Sequence, residues 1–224
     1  MILDFKVIKR ICDSVTIHLE SIDNIFFAKI RRRKLNNTDF SIISNNCWGG
    51  HVYRRYGLNY LSPTVGLYFF TEDYLLFLED LQNNLKKDIR FIKYNQSKYK
   101  EILIEKGQTH IPIGVLGDNI EIMFLHYKTE KEAYEKWNRR AKRTNFDNLI
   151  IKMSQMNLCT EVHLRRFDNL PYKKKIAFVS KYLNTDIKSA VPIYKYSNEE
   201  RVIDDTTYFS KHIDLVKLIN DDTR

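Results

Sequence analysis

The chain has 224 residues, 43% of them apolar and 29% charged, a balance that fits one sizeable globular unit and excludes a disordered chain. Its 7 glycines and 4 prolines are too few for collagen-like, linker-rich or propeller-like architectures. The 37 cations against 28 acids leave a formal net charge of +9, which favours anionic partners without choosing among phosphates, nucleic acid and an acidic membrane surface.

Residues 1–34 place Val7, Ile8, Ile11, Val15, Leu19, Ile22 and Phe26 at three- and four-residue intervals, which predicts helix over a rival strand-like alternation at Val15, Ile17 and Leu19. The segment ends in Lys29-Ile30-Arg31-Arg32-Arg33-Lys34. That cluster fits either a docking helix whose cationic end suits the helix dipole or a peripheral helix resting on anionic headgroups. Phe40–Ser44 reads as a short buried strand that runs through Asn45-Asn46-Cys47-Trp48-Gly49-Gly50 into a helix from His51 to Tyr56, stopped by Gly57. Val65–Phe70 reads as a second apolar strand. Thr71-Glu72-Asp73 then caps a helix with the core stripe Tyr74, Leu75, Phe77, Leu78, Leu81 and Leu85.

Ile89–Tyr94 is strand-like, Tyr99–Ile104 a brief helix, and Ile111–Leu116 with Asn119–Tyr127 a hairpin about Gly117-Asp118. Thr129-Glu130-Lys131-Glu132 has capping-box spacing for a helix to about Arg143. Leu149–Met153 and Lys175–Ser180 are further strands, and Tyr208–Asn220 a terminal helix. Strands alternating with helices, several apolar on both faces, predict an α/β fold. The expected architecture is a single three-layer domain with a mixed, largely parallel sheet, a β-hairpin and flanking helices. Residues 1–38 form its N-terminal basic amphipathic helix region, and residues 39–224 its one α/β unit.

Three cysteines, Cys12, Cys47 and Cys159, are widely spaced and contain no C-x-x-C pair, so neither a disulfide framework nor a zinc cage is indicated. The longest apolar runs fall far short of the ~18–20 residues that span a bilayer. The first residues show no basic-then-apolar signal pattern. A cytoplasmic protein, free or peripheral on the inner face of the membrane, is the expectation.

In an open α/β sheet, ligands bind beyond the carboxyl ends of the strands. The first strand delivers Ser44, Asn45, Asn46, Cys47, Trp48, Gly49, Gly50 and His51 to that edge. Neighbouring amides supply uncharged donors and acceptors, the glycines permit close approach, and the helix start offers free N–H groups to a phosphate or carboxylate. Cys47 with His51 would be a nucleophile and its base; the same residues also serve as an ordinary cap, turn and packing. His126 ends the second hairpin strand, within reach of the same edge, while Glu121 has the opposite parity, which argues against a His/Glu metal pair. Lys136, Arg139, Arg140 and Arg143 recur at helical spacing on one face, fitting either a pyrophosphate clamp or a solvated face. No metal-ligand spacing, P-loop, G-x-S-x-G elbow or G-x-G-x-x-G loop occurs. No metal and no cofactor are therefore expected. The adjacent pairs Asp204-Asp205 and Asp221-Asp222 read as solvated loop and tail.

Ser44–Gly50, Leu61–Thr64, Pro112-Ile113-Gly114, Phe124–Tyr127, Trp137–Arg140, Asn148-Leu149 and Leu170–Lys174 together resemble the bacterial domain-of-unknown-function family numbered nineteen-nineteen. The resemblance covers most of residues 39–180. It implies a compact α/β fold and a bacterial protein often found beside exopolysaccharide, capsule or lipopolysaccharide genes, and it implies no established activity. The leading expectation is a cytoplasmic transferase acting on a surface-glycan precursor. Its phosphate-bearing donor, a nucleotide sugar or similar, would sit against Asn45, Asn46, Gly49 and Gly50. His126 would be the base, and Arg139, Arg140 and Arg143 would neutralise the diphosphate. The alternatives are a hydrolase using Cys47 or Ser44 with a histidine, and a non-catalytic scaffold of a glycan-synthesis complex. The scaffold would meet an anionic membrane through Lys29, Arg31, Arg32, Arg33 and Lys34. A nucleic-acid role is not expected, because no binding motif accompanies the charge.

Overall fold

Short apolar segments far apart in sequence pair in parallel at the centre of the molecule, which the computed structural model describes for Asp23, residues 26–207 and residues 209–221. Strands β1 (Ser41–Ser44), β5 (Leu149–Ser154), β6 (Lys174–Ser180) and β7 (Ala190–Ile193) lie in the order β1-β5-β6-β7, every neighbouring pair parallel. The other three strands, β2 (Ile89–Ile92), β3 (Ile113–Leu116) and β4 (Ile120–Met123), form a separate antiparallel sheet. The fold is therefore α/β and a single domain, as the sequence patterning implies. The antiparallel strands stand beside the parallel sheet rather than within it.

Both faces of the parallel sheet are covered. Ile43, Ile151, Met153, Ala177 and Val179 pack on one side with helices α2 (Thr71–Glu79), α5 (Glu130–Ala141) and α6 (Glu161–Asp168) and with the antiparallel sheet. Ile42, Ile150, Ile176, Phe178 and Ile193 pack on the other, against α1 (Trp48–Arg55) and the terminal α7 (Leu215–Asn220). Neighbours of opposite parity thus enter different cores, as a strand period of two requires. Two short helices, α3 (Leu81–Asn84) and α4 (Lys100–Glu105), complete the set used below.

Local chemistry sets the boundaries. Gly57 closes α1 with φ +60°, and Gly117 turns the hairpin with φ +57°, conformations that L side chains rarely adopt. At the start of α5 the Thr129 hydroxyl accepts from the Glu132 backbone N–H (3.1 Å), whereas the Glu132 carboxylate takes the Lys128 N–H (3.0 Å). Only half of the expected reciprocal box forms. Tyr74 on α2 reaches the carbonyls of Ile43 and Lys152, both at 2.9 Å, tying the helix to the end of β1 and the middle of β5.

Five elements differ from the sequence expectation, one of them the helix expected through Leu85, which breaks at Asp80 into α2 and α3. Val65–Phe70 is buried but not a strand, and only Tyr68 makes a bridge, to Met123. Residues 209–220 hold a 3-10 turn, Phe209–Lys211, and then α7, not one helix. Helix α6 and strand β7 have no counterpart among the expected elements. The expected helix over residues 1–34 lies mostly outside the described residues; residues 26–32 are helical.

Gly114 on β3 has no room for a methyl group. A Cβ there would lie 2.4 Å from Ile89 Cδ1 and 2.8 Å from Phe124 Cε2, and the Phe124 ring is itself wedged against Tyr127 and Trp137. Gly114→Ala is expected to destabilise the fold by about 1–3 kcal/mol, read as a lower urea midpoint with an unchanged slope.

Candidate functional site

The parallel pairing of β1 with β5 decides where the site lies. Ser44 is in register with Lys152, so the turn after β1 emerges beside the end of β5, at the carboxyl edge of the sheet. Asn45 extends the ladder with its side chain: its Nδ2 donates to the Ser154 carbonyl (3.2 Å) and its Oδ1 accepts from the Ser154 N–H (3.1 Å). Asn46 Oδ1 accepts from the Trp48 N–H at 3.2 Å, an Asx turn that leads into α1. Beyond these residues opens a cavity of about 690 Å³, bordered by α1, the 65–68 segment, the turn after β4, α5, the end of β5 and residues 204–206. It falls in the size range of small-molecule sites.

The structure brings Asn46, Cys47, Gly50, His51, His126 and Arg140 together on the walls of this cavity. The remaining expected residues do not line it. Ser44 and Asn45 are fully buried and spend their polar atoms internally. Trp48 packs edge-on against Phe178, and a Cβ on Gly49 would meet Ile42 at 3.1 Å. Arg139 and Arg143 are exposed. The α5 stripe divides because Ala133 and Trp137 define the buried face; at 100° per residue Arg140 lies next to that face and Arg139 farthest from it.

Arg54, Lys106, Lys136 and Arg140 are the four Lys and Arg side chains on the lining. Arg140 is buried, with one terminal nitrogen donating to the Tyr127 hydroxyl (2.7 Å) and the Val65 carbonyl (3.1 Å). Its guanidinium also lies over the Tyr60 ring, 4.9 Å from the centroid. One terminal nitrogen of the guanidinium is thereby fixed by the protein. Lys106 reaches Asn157 Oδ1 at 3.3 Å and lies 5.3 Å from the ring centroids of Tyr68 and Phe70.

Sequence reasoning missed the floor of the site. Lys152, fully buried in mid-β5, pairs with the Asp205 carboxylate, which also accepts from Ser154 Oγ. Lys152 donates to Asn46 Oδ1 at 2.8 Å, and Asn46 Nδ2 donates to Asp205 at 2.9 Å. Asp205 is buried, not the solvated loop residue expected, and Asp204 turns back on the N–H groups of Thr206 and Thr207 (2.7 and 3.2 Å). The available signal was Leu-Ile-Ile-Lys-Met-Ser itself: a charge inside a strand apolar on both faces demands a buried partner.

Burial and neighbouring charge set the protonation states. Burial, reinforced by Arg54, lowers His51 to about 4, and the same two causes lower His126. Both imidazoles are neutral at pH 7. Burial, with Asp205 adding to it, raises Cys47 to about 11; its thiol points at the Leu67 carbonyl, 3.8 Å away. These conditions oppose a thiolate nucleophile. Among the described residues no group of three or more His, Cys, Asp or Glu is arranged to hold a metal ion.

A family model described as a domain of unknown function (DUF1919) matches residues 19–221. The chain belongs to this family. A Haemophilus influenzae protein described as uncharacterized is 33% identical over 179 residues, which are 80% of each chain. The DUF1919 match thus takes in the whole cavity, including the Asp205 end that the short motifs did not reach. Among the described residues no helix is long and apolar enough to cross a membrane.

The buried pair and the buried imidazole each set a measurable outcome. Lys152→Met should cost about 3–5 kcal/mol by stranding a buried carboxylate, and Lys152→Met with Asp205→Leu should recover much of that loss in urea denaturation. His51, at about 4 when folded against 6.5 when free, binds its proton more weakly in the native state. Stability carried by the neutral ring is present above pH 6.5 and falls as pH drops toward 4. His51→Gln should flatten that part of the unfolding-temperature profile.

Proposed function

We propose that this DUF1919 protein binds a phosphate-bearing small molecule, a nucleotide sugar or a related diphosphate donor, in the cavity at the carboxyl edge of its parallel sheet. We further propose that it acts there as a cytoplasmic transferase on a cell-surface polysaccharide precursor. The observation that carries the reading is that Arg54, Lys106, Lys136 and Arg140 all line one cavity together with the first turn of α1. Guanidinium and ammonium groups bind phosphate oxygens through charge-assisted hydrogen bonds, and helix N–H groups add to the field. Two carboxylates also border the space, and both are engaged by the protein itself, Asp205 by Lys152 and Asp204 by Thr206. Lys136 is itself paired with Glu132 at 2.5 Å, so Arg54, Lys106 and Arg140 are the lining cations that carry the reading.

The neutral imidazoles of His51 and His126 can each donate to or accept from a sugar hydroxyl without adding charge. His126, on the turn after β4 and on the cavity lining, would take a proton from an acceptor hydroxyl in the transfer step. A Cys47 hydrolase has the raised thiol against it, and Ser44 Oγ is buried and donates to Asn46 Oδ1 at 3.1 Å.

The test is a thermal-shift screen of UDP-, GDP-, CMP- and dTDP-sugars with inorganic pyrophosphate alongside. At least one diphosphate compound should raise the unfolding temperature. Arg54→Gln with Lys136→Gln should weaken that ligand by roughly tenfold or more. No shift from any compound would overturn the nucleotide-sugar assignment. A shift that the double variant leaves unchanged would place the ligand elsewhere.

A further inference from the structure

The helical residues 26–32 meet the rest of the molecule along one narrow side. Ala28 is buried against Gly57, where an added Cβ would stand 3.2 Å away. Arg31 Nε donates to the Arg55 carbonyl (3.0 Å), and its Nη1 pairs with Asp23 at 2.5 Å. Arg32 Nη1 donates to the Gly57 carbonyl at 3.2 Å. At 100° per residue, positions 28, 31 and 32 share one sector of the helix, and positions 26, 29, 30 and 33 lie opposite.

That opposite sector and its flank, where Phe27 and Lys34 lie, carry an unusual pairing of side chains. Phe26 is 71% exposed, Phe27 50% and Ile30 53%, and Lys29, Arg33 and Lys34 are exposed among them. Three large apolar groups within five positions is more than scattered surface hydrophobicity accounts for. The face is a convex ridge with cations interleaved, not a groove into which a peptide would fit. A second copy would bring like charge against like charge, on a chain whose net charge is +9.

We propose that this face seats the protein on an anionic bilayer. Phe26, Phe27 and Ile30 would enter the boundary between headgroups and acyl chains while Lys29, Arg33 and Lys34 reach the lipid phosphates, the division of labour of an interfacial helix. Attraction to the negative surface brings the helix in, and apolar burial retains it. The Arg55 carbonyl that holds Arg31 belongs to the last residue of α1, and Arg54, its neighbour, lines the cavity. Helix α1 is about 12 Å long, so attachment would hold the cavity close to the lipid surface. The inference rests on residues 26–34 alone and stands whether or not the cavity binds a nucleotide sugar.

The test is co-sedimentation of the full chain with vesicles of phosphatidylcholine alone or mixed with phosphatidylglycerol. Binding should require phosphatidylglycerol and fall steeply with added salt. Phe26→Ser/Phe27→Ser/Ile30→Ser and Lys29→Glu/Arg33→Glu/Lys34→Glu should each reduce binding by roughly tenfold or more, with unfolding temperatures unchanged. Phe26→Trp should show a blue-shifted emission on the anionic vesicles, read as a difference from the wild-type chain with its buried Trp48 and Trp137. A chain that stays in the supernatant at low salt overturns the proposal, and an acidic protein partner then becomes the better reading. Wild-type binding by both triple variants, or sedimentation without any blue shift, also overturns it.

Discussion

A lysine ammonium without access to water, in the middle of a strand covered on both faces, is the constraint around which this molecule is arranged. Lys152 occupies the parity of Ile150, so its side chain enters the core that α1 and Phe178 build, with the Trp48 and Phe178 ring centroids 5.8 and 5.3 Å from its nitrogen. Desolvating such a group costs several kcal/mol, which only a matched carboxylate and further hydrogen bonds offset. Asp205 supplies the charge, and Asn46 and Ser154 supply the bonds. The turn after the first strand, the middle of the sheet and the segment near residue 205 are thereby fixed to one another. The wall of the cavity holds its shape because this network beneath it does.

The central strands were legible because they are buried on both faces. Continuous apolar runs such as Ile42-Ile43 and Ile176–Val179 suit a doubly covered strand and little else, and Gly57 and Thr129 mark helix ends by their own chemistry. Val65–Phe70 has the same composition for a different reason. It threads between three cores, with Val65 in one, Leu67 and Phe69 in a second, Tyr68 and Phe70 in a third. Apolar packing alone accounts for it, and no ladder forms. Strand β7 escaped because Pro192 argues against a strand until its edge position is known. Helix α6 buries only Leu164 and Phe167 of its eight residues, too few to make a stripe in an isolated sequence.

The candidate site was legible as a place more than as a set of residues. The carboxyl-edge rule and the Asn-Cys-Gly-His turn located it, and the hairpin added His126. Spacing on α5 could group four cations but could not say which of them borders a cavity, because that depends on which face Trp137 buries. Arg54 and Lys106 carried no local pattern; they reach the cavity through the folding of α1 and α4. The amino edge of the sheet offers a contrast. The cavity there, about 880 Å³, sets Glu79, Asp80, Asp147 and Asp221 against Lys173 and Lys174, a balance with no preference for an anion. Volume alone would point to that end; charge points to the other.

The cations and the histidines of the carboxyl-edge cavity are one electrostatic system. Burial first and Arg54 second lower the pKa of both His51 and His126, so the guanidinium that would attract a phosphate also helps to keep both rings unprotonated. A bound dianion would reverse the sign of the local field and exclude water together with its screening. The first effect raises the imidazoles toward protonation; the second, by further burial, lowers them. Where a dianion came closer to a ring than the protein's own carboxylates do, the coulombic effect would prevail. Anion binding and proton uptake are then linked, and each must strengthen the other. A ring so affected would be neutral in the empty cavity and able to protonate a leaving group beside a bound dianion, a role open to His51 if His126 is the base.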